Sequence, residues 1–105
     1  MIAVEEGDTV SQASTNGNLG IAYQGTGEEV LALKHLDAHL TISRECQDIE
    51  GQLKALSNLG NFHAHKSDFN TALDLFQEQL EISQTRGKLN FILVTWHYLP
   101  LKNNF

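Results

Sequence analysis

The nonapeptide Ala55-Leu56-Ser57-Asn58-Leu59-Gly60-Asn61-Phe62-His63 decides the fold, because its central tripeptide also stands forty residues earlier as Asn18-Leu19-Gly20. A fixed period of about 20–50 residues indicates stacked supersecondary units, which usually bind partners rather than catalyse reactions. The sequence therefore predicts a repeat fold. At the same offset the chain pairs further identical residues, mostly apolar or small and at helical spacings: Gln12 with Gln52, Ala32 with Ala72, Leu33 with Leu73, Leu40 with Leu80, and Ile42-Ser43 with Ile82-Ser83.

Hydrophobic periodicity predicts an all-α chain whose helices form antiparallel pairs stacked as an α-solenoid. Short links, as such pairs require, would join four helices at about residues 9–24, 28–44, 49–65 and 68–86. Capping residues support these limits. They are Thr9 with Gln12 at the first start, Asp48 at the third, Ser67 or Asp68 at the fourth, and Gly87 at the last C-terminus.

Three of the helices carry a stripe of apolar or small residues that we expect to be buried, because these residues recur at steps of three and four. The second helix has Leu33, Leu36, Leu40 and Ser43, and the third has Leu53, Leu56, Leu59, Gly60 and His63. The stripe of the fourth helix consists of Ala72, Leu73, Phe76, Leu80, Ile82 and Ser83.

The charge and cysteine content exclude several classes of function. Net charge is −6, and nine of the thirteen acidic residues lie in residues 1–50, which argues against nucleic-acid or anionic-membrane binding. The single cysteine, Cys46, excludes an internal disulfide and fits a reducing compartment. The N-terminus lacks the features of a secretory signal, and the longest apolar stretch, residues 91–101, is too short to span a bilayer. We expect a cytoplasmic protein.

Residues 88–105 depart from the repeat pattern, since Tyr98-Leu99-Pro100 stands where a third Asn-Leu-Gly would be. The tail is either a folded cap over the last helix, as terminal repeats are atypical, or a foreign end from truncation or alternative splicing. The abrupt change in composition favours the foreign end, and Pro100 would kink a helix interior. The apolar run at Phe91-Ile92-Leu93-Val94 leaves self-association open.

The recurring residues resemble the tetratricopeptide repeat. That repeat is marked by Leu-Gly, an aromatic residue three positions after the Gly, an Ala nine positions later, and a large apolar residue four positions after the Ala. The matching residues are Leu19, Gly20, Tyr23, Ala32 and Leu36, and then Leu59, Gly60, His63, Ala72 and Phe76. The resemblance implies that Gly20 and Gly60 lie where helices cross closely, with Ala32 and Ala72 in the matching contact.

The resemblance covers about residues 8–87, which we expect to form two repeats, at about 9–46 and 48–87, before the tail at 88–105. The chain departs from the family pattern at His63, where an aromatic is usual, and at His39 and Gln79, where a small residue is usual. The 40-residue period is similar to that of scaffold proteins that couple G-protein signalling or cortical cues to the spindle. Several strings look most like very large repeat scaffolds of the spindle midzone.

No pattern predicts catalysis, a metal site or a cofactor. His35 and His39 stand four apart on a helix, but the segment offers only Asp37 as a further ligand, and Asp37 faces elsewhere. We expect His63 to be a packed, hydrogen-bonded core imidazole and Cys46 to be a small apolar linker residue. No Gly-Lys-Ser/Thr follows the glycine-rich links, which excludes a phosphate-binding loop.

A binding surface is the better hypothesis. In the family, the first helix of each pair lines a concave groove, which would present Ser14, Gly17, Ile21 and Gln24, and then Lys54, Ser57, Asn61, Ala64 and His65. We select Gln24, Lys54, Ser57, Asn61 and His65 as partner-binding residues. Gly17 and Ile21 replace the Lys and Asn that chaperone-tail binding needs in the first repeat. We expect a peptide or protein partner and no small-molecule substrate; the alternative is a spacer or truncated isoform of a longer solenoid with no partner of its own.

Overall fold

The computed structural model describes the backbone of residues 6–102 and the side chains of residues 8–87. Its helices are α1 (Glu6–Gly25), α2 (Glu29–Glu45), α3 (Ile49–His65) and α4 (Phe69–Lys102). Consecutive helices pack as antiparallel pairs, and α3 also contacts both α2 and α1. The predicted all-α fold of two helix pairs is therefore confirmed.

The three links repeat one geometry at intervals of twenty residues. Gly27, Gln47 and Ser67 each have a positive φ, of 81°, 56° and 62°. The next residue in each link donates its backbone N–H to the carbonyl five positions earlier, at 2.9 Å in all three cases. In each link the left-handed residue also donates its own backbone N–H to the carbonyl three positions earlier. The two hydrogen bonds together form the Schellman motif that ends helices. The last two links adopt the left-handed conformation without glycine.

The core lies where α2 and α3 meet. One cluster of buried residues joins the two helices: Ala32, Leu36, Leu40, Ala55, Leu56, Leu59 and Phe62. Two glycines permit the close helix approaches within each pair. A Cβ on Gly20 would lie 2.6 Å from the Leu36 side chain, and a Cβ on Gly60 would lie 2.5 Å from the Phe76 ring. The prediction that both glycines lie at close crossings is confirmed.

The predicted N-caps of α3 and α4 are confirmed in position. Asp48 precedes α3 without a side-chain capping bond. Asp68 precedes α4, and its Oδ1 accepts the backbone N–H of Thr71 at 3.4 Å. Asp68 is therefore the cap, because Ser67 takes the left-handed position of the link. The capping box at Thr9 is wrong, since α1 already begins at Glu6.

Two predictions for α4 are also wrong. Leu73 and Leu80 are 64% and 55% exposed, and Ser83 is exposed too, because no described helix packs against this side of α4. Gly87 does not end the helix, which continues to Lys102, two residues after Pro100. A glycine stops a helix by taking a positive φ, and Gly87 does not take one. The side chains of the predicted tail, like residues 1–5, lie outside the described part of the chain.

Candidate functional site

Helices α1 and α3 border a concave surface that consists of two adjoining cavities, which we name the α1–α3 groove. The cavities have volumes of about 610 and 600 Å³ and share Ile21 and Asn58 in their walls. The wall residues of α1 include Ser14, Gly17, Asn18, Ile21 and Gln24, and those of α3 include Lys54, Ser57, Asn58, Asn61 and His65. Spacings of three and four place each set on one side of its helix.

One cavity, the His65 cavity, lies at the end of the groove next to the first and third links. Gln24, Asn61 and His65 line it. Its rim carries an ion pair between Lys66 and Glu29, with 2.5 Å between Nζ and Oε2. This pair joins the α3–α4 link to the start of α2 and neutralises both charges at the rim.

The other cavity, the Lys54 cavity, extends toward the opposite end of the groove. Ser14, Lys54 and Ser57 line its walls, while His39 of α2 and Gln79 of α4 contribute from the second helix of each pair. The Gln79 side-chain amide donates to the Leu53 backbone carbonyl at 3.1 Å. Both second helices therefore reach the floor of this cavity.

His39 is the buried titratable residue of the groove. It is 4% exposed, and its Nδ1 has no hydrogen-bond partner. A Cβ on Gly17 would lie 2.5 Å from that Nδ1, so the ring occupies the space that the glycine leaves. Burial lowers the pKa of His39 below its ordinary 6.5; the carboxylate of Asp48 acts in the opposite direction, and the Lys54 ammonium lowers it further.

The structure brings together the five predicted binding residues in the groove. Gln24, Asn61 and His65 line the His65 cavity, and Lys54 and Ser57 line the Lys54 cavity. Ser14, Gly17 and Ile21 also line the groove, whereas Ala64 does not appear in its walls. Partner binding by these residues stays a prediction.

Sequence reasoning missed other residues of the groove, among them Asn18, Asn58, His39, Gln79, Glu29 and Lys66. The signal for Asn58 was available, because it follows Lys54 by four residues and precedes Asn61 by three. Helical geometry places such residues on one face. The two floor residues stand at the same repeat position, where the family pattern has a small side chain that would not reach the groove.

His35 and His63 have structural surroundings outside the groove walls. The Nδ1 of His35 lies 2.9 Å from Asn16 Oδ1, and its ring stacks on Tyr23 at a centroid distance of 5.4 Å. No group of three potential metal ligands occurs among the described residues. His63 is half-buried rather than in the core, with its Nδ1 3.4 Å from Asp68 Oδ2, because it lies beside the α3–α4 link. The hydrogen bond from Thr71 lowers the pKa of Asp68.

A comparison with known families decides the identity of the fold. The model of the tetratricopeptide repeat matches residues 11–85. The chain belongs to the tetratricopeptide repeat family. Domains of this family are in general protein–protein interaction modules and typically non-catalytic scaffolds. The comparisons with curated proteins and with solved structures found no match. In the part of this tetratricopeptide repeat protein that the structure describes, no helix is both long and apolar enough to cross a bilayer.

Proposed function

We propose that this tetratricopeptide repeat protein binds a peptide or protein partner in the α1–α3 groove. One observation carries the proposal: the two adjoining cavities are lined by polar side chains whose hydrogen-bonding groups are unused within the described residues. These side chains belong to Ser14, Gln24, Lys54, Ser57, Asn58 and Asn61. Unused donors and acceptors in a concave surface are available to a ligand.

The chemistry of the groove suits an extended chain segment. The side-chain amides of Asn58 and Asn61 each offer donors and an acceptor, which match the N–H and C=O groups of a peptide backbone. Between the two cavities Ile21 is 49% exposed and supplies apolar contact area. A segment lying along the groove would therefore meet polar groups for its backbone and an apolar surface for a side chain.

Affinity capture with a groove variant tests this proposal. The bait is the whole chain, and the variant is Asn61→Arg, which places a bulky charge in the groove at an exposed position. The matched control is Asn70→Arg, an exposed asparagine in the first turn of α4 and outside the groove walls. We expect captured partners to be lost with Asn61→Arg and retained with Asn70→Arg, as measured by quantitative mass spectrometry.

Circular dichroism of both variants is the folding control. If Asn61→Arg keeps the helical content of the unmodified chain and still captures the same proteins at the same yield, the groove is not the binding site. If both variants lose the partner equally, the effect is one of overall charge and the proposal is again contradicted.

A finer proposal is that the partner belongs to spindle or G-protein signalling assemblies. Its support is the 40-residue period and the strings around Asn18 and Asn58, which look like large scaffolds of the tetratricopeptide repeat protein 28 type. A cytoplasmic location is part of the same proposal and rests on the single cysteine. The identity of the proteins that depend on Asn61 tests this step.

A spacer within a longer stack of repeats is the second candidate function. The exposure of Leu73 and Leu80 favours it, because the equivalent Leu40 of α2 belongs to the core between α2 and α3. An apolar face on the last helix pair is what a further repeat would cover. The capture experiment separates the two candidates: a spacer would show no protein that depends on Asn61.

A further inference from the structure

The floor of the Lys54 cavity is unusual in carrying two polar side chains at one repeat position. His39 and Gln79 are forty residues apart and occupy equivalent places in the two repeats. Both line this cavity from the second helix of their pair. Small residues at both places would leave the floor without the side-chain donors of His39 and Gln79, so these two residues change what the cavity can bind.

The contacts of His39 determine which ring nitrogen can meet a ligand. Nδ1 is enclosed, has no hydrogen-bond partner, and faces the Cα hydrogen of Gly17 that a Cβ would replace. A Cα hydrogen is a weak donor, so it favours a lone pair on Nδ1 and the proton on Nε2. Because Nδ1 is enclosed and His39 lines the cavity, Nε2–H is the group that can donate into it.

The charge of the cavity is positive although the chain is acidic. No aspartate or glutamate lines the Lys54 cavity. Lys54 is exposed and forms no ion pair with a described residue. Three other described cations are neutralised: Arg44 pairs with Glu78 at 2.5 Å, Lys66 with Glu29 at 2.5 Å, and Arg86 with Glu50. Lys34 also forms no ion pair with a described residue, but it lies outside the groove walls. Lys54 is therefore a free positive charge inside the groove of a chain with net charge −6.

We propose that the Lys54 cavity binds the carboxylate side chain of an aspartate or glutamate in the partner segment. Lys54 donates a charge-assisted hydrogen bond from the wall, and His39 Nε2–H donates a second from the floor. The hydroxyls of Ser14 and Ser57 line the same cavity and complete a donor-rich site. This inference rests on the proposed function, which it deepens by assigning the partner an acidic residue at this point of the groove.

The electrostatics of His39 are compatible with this role. Burial lowers its pKa, and the neighbouring Lys54 charge adds to that effect while Asp48 opposes it. The lowered pKa favours the neutral imidazole. A neutral ring with Nδ1 unprotonated carries its one N–H donor on Nε2.

Titration with defined peptides, followed by NMR of the isotope-labelled whole chain, tests the inference. The probe is hexaglutamate with both termini capped, and its control is capped hexaglutamine. We expect saturable shifts at the amides of Ser57 and Asn58 and at the His39 Nε2 resonance with hexaglutamate only. Lys54→Ala should weaken binding about tenfold, as loss of a charge-assisted hydrogen bond implies.

Lys66→Ala is the matched control, since Lys66 is a lysine of the same groove whose charge Glu29 already neutralises. We expect it to change the affinity by about twofold at most. Lys54 is exposed, so its substitution is not expected to unfold the chain, and the His39 resonance reports on the floor without any substitution there.

Four outcomes would overturn the inference. They are equal shifts with hexaglutamine, binding of hexaglutamate only when its C-terminus is free, equal losses in Lys54→Ala and Lys66→Ala, and no saturable binding of the capped peptide. The second outcome would assign the cavity to a terminal carboxylate instead. If capture still depends on Asn61 while any of these outcomes holds, the groove remains the partner site and only the acidic specificity fails.

Discussion

The two helix pairs carry identical residues at equivalent positions but bury them differently. Leu40 of α2 is 7% exposed, whereas Leu80 at the same position of α4 is 55% exposed. Leu59 of α3 is 2% exposed and Leu19 of α1 is 38% exposed. The buried member of each pair lies at the contact between α2 and α3. Burial in stacked repeats is therefore set by the neighbouring unit and not by the residue alone.

The largest expected difference in the free energy of unfolding is between truncations at Leu40 and Leu80, which occupy the same repeat position. Leu40→Ala removes a core side chain and should lower the free energy of unfolding by about 2–4 kcal/mol. Leu80→Ala alters a side chain that is already in solvent and should cost roughly 1 kcal/mol or less. Urea unfolding followed by circular dichroism measures both.

If the two leucine variants lost the same free energy of unfolding, the side of α4 that carries Leu73 and Leu80 would have to be covered in solution. That result would contradict the exposure of these two side chains. A loss with Leu80→Ala that depends on protein concentration would identify the cover as a second copy of the chain.

The close helix approaches provide the next comparison. A Cβ at Gly20 would meet the Leu36 side chain at 2.6 Å and also the Leu36 backbone nitrogen at 3.1 Å, while a Cβ at Gly60 would meet the Phe76 ring. A ring can rotate away more easily than a backbone can move. We expect Gly20→Ala to destabilise by about 1–3 kcal/mol and Gly60→Ala by less. Thermal unfolding of the two variants measures the difference.

Gly25→Ala is the control for this comparison, since nothing lies within 4 Å of a Cβ at Gly25. The better helix propensity of alanine should make this variant neutral or more stable by up to about 1 kcal/mol. A Gly20→Ala variant as stable as Gly25→Ala would show that the helices do not approach as closely as described.

The smallest predicted effect is a dependence of stability on pH through His39. Burial lowers its pKa in the folded chain below the ordinary 6.5, so the unfolded chain binds more protons between the lowered value and 6.5. Stability should therefore be fully present above about pH 6.5 and decrease as the pH falls through that window. Urea midpoints at about pH 7.5 and about pH 5.5 measure the decrease.

The matched variants for this experiment are His39→Gln and His65→Gln. The first removes the buried imidazole and should reduce the decrease in stability at low pH. The second removes an exposed imidazole and should leave the decrease unchanged. If His65→Gln reduced the low-pH decrease in stability more than His39→Gln did, the titrating group would lie outside the floor of the groove.

Much of the fold followed from the sequence because the determining features are local or repeated. The helix periodicity, the glycines at 20 and 60, and the caps at Asp48 and Asp68 depend on residue type and spacing, and the structure has them as predicted. The five predicted binding residues line one groove, as the family pattern implied for the first helix of each pair, and their role in binding stays a prediction.

Other features depend on information that a single sequence does not carry. Gln47 and Ser67 take left-handed conformations that are ordinarily costly for non-glycine residues, so nothing marked these links as turns of that type. The exposure of Leu73 and Leu80 depends on which helix packs beside α4. The enclosed position of His39 Nδ1 depends on how the ring packs against Gly17, which residue spacing alone does not reveal.

Site-specific photo-crosslinking of the captured partner tests the central claim most directly. One chain carries the photoreactive residue at Asn61 in the groove, and a second carries it at Leu80 on the open face of α4; both positions are exposed. The account predicts that the partner crosslinks from position 61 and not from position 80. Crosslinking from position 80 alone would contradict the account and would identify the open face of α4, rather than the α1–α3 groove, as the surface that binds.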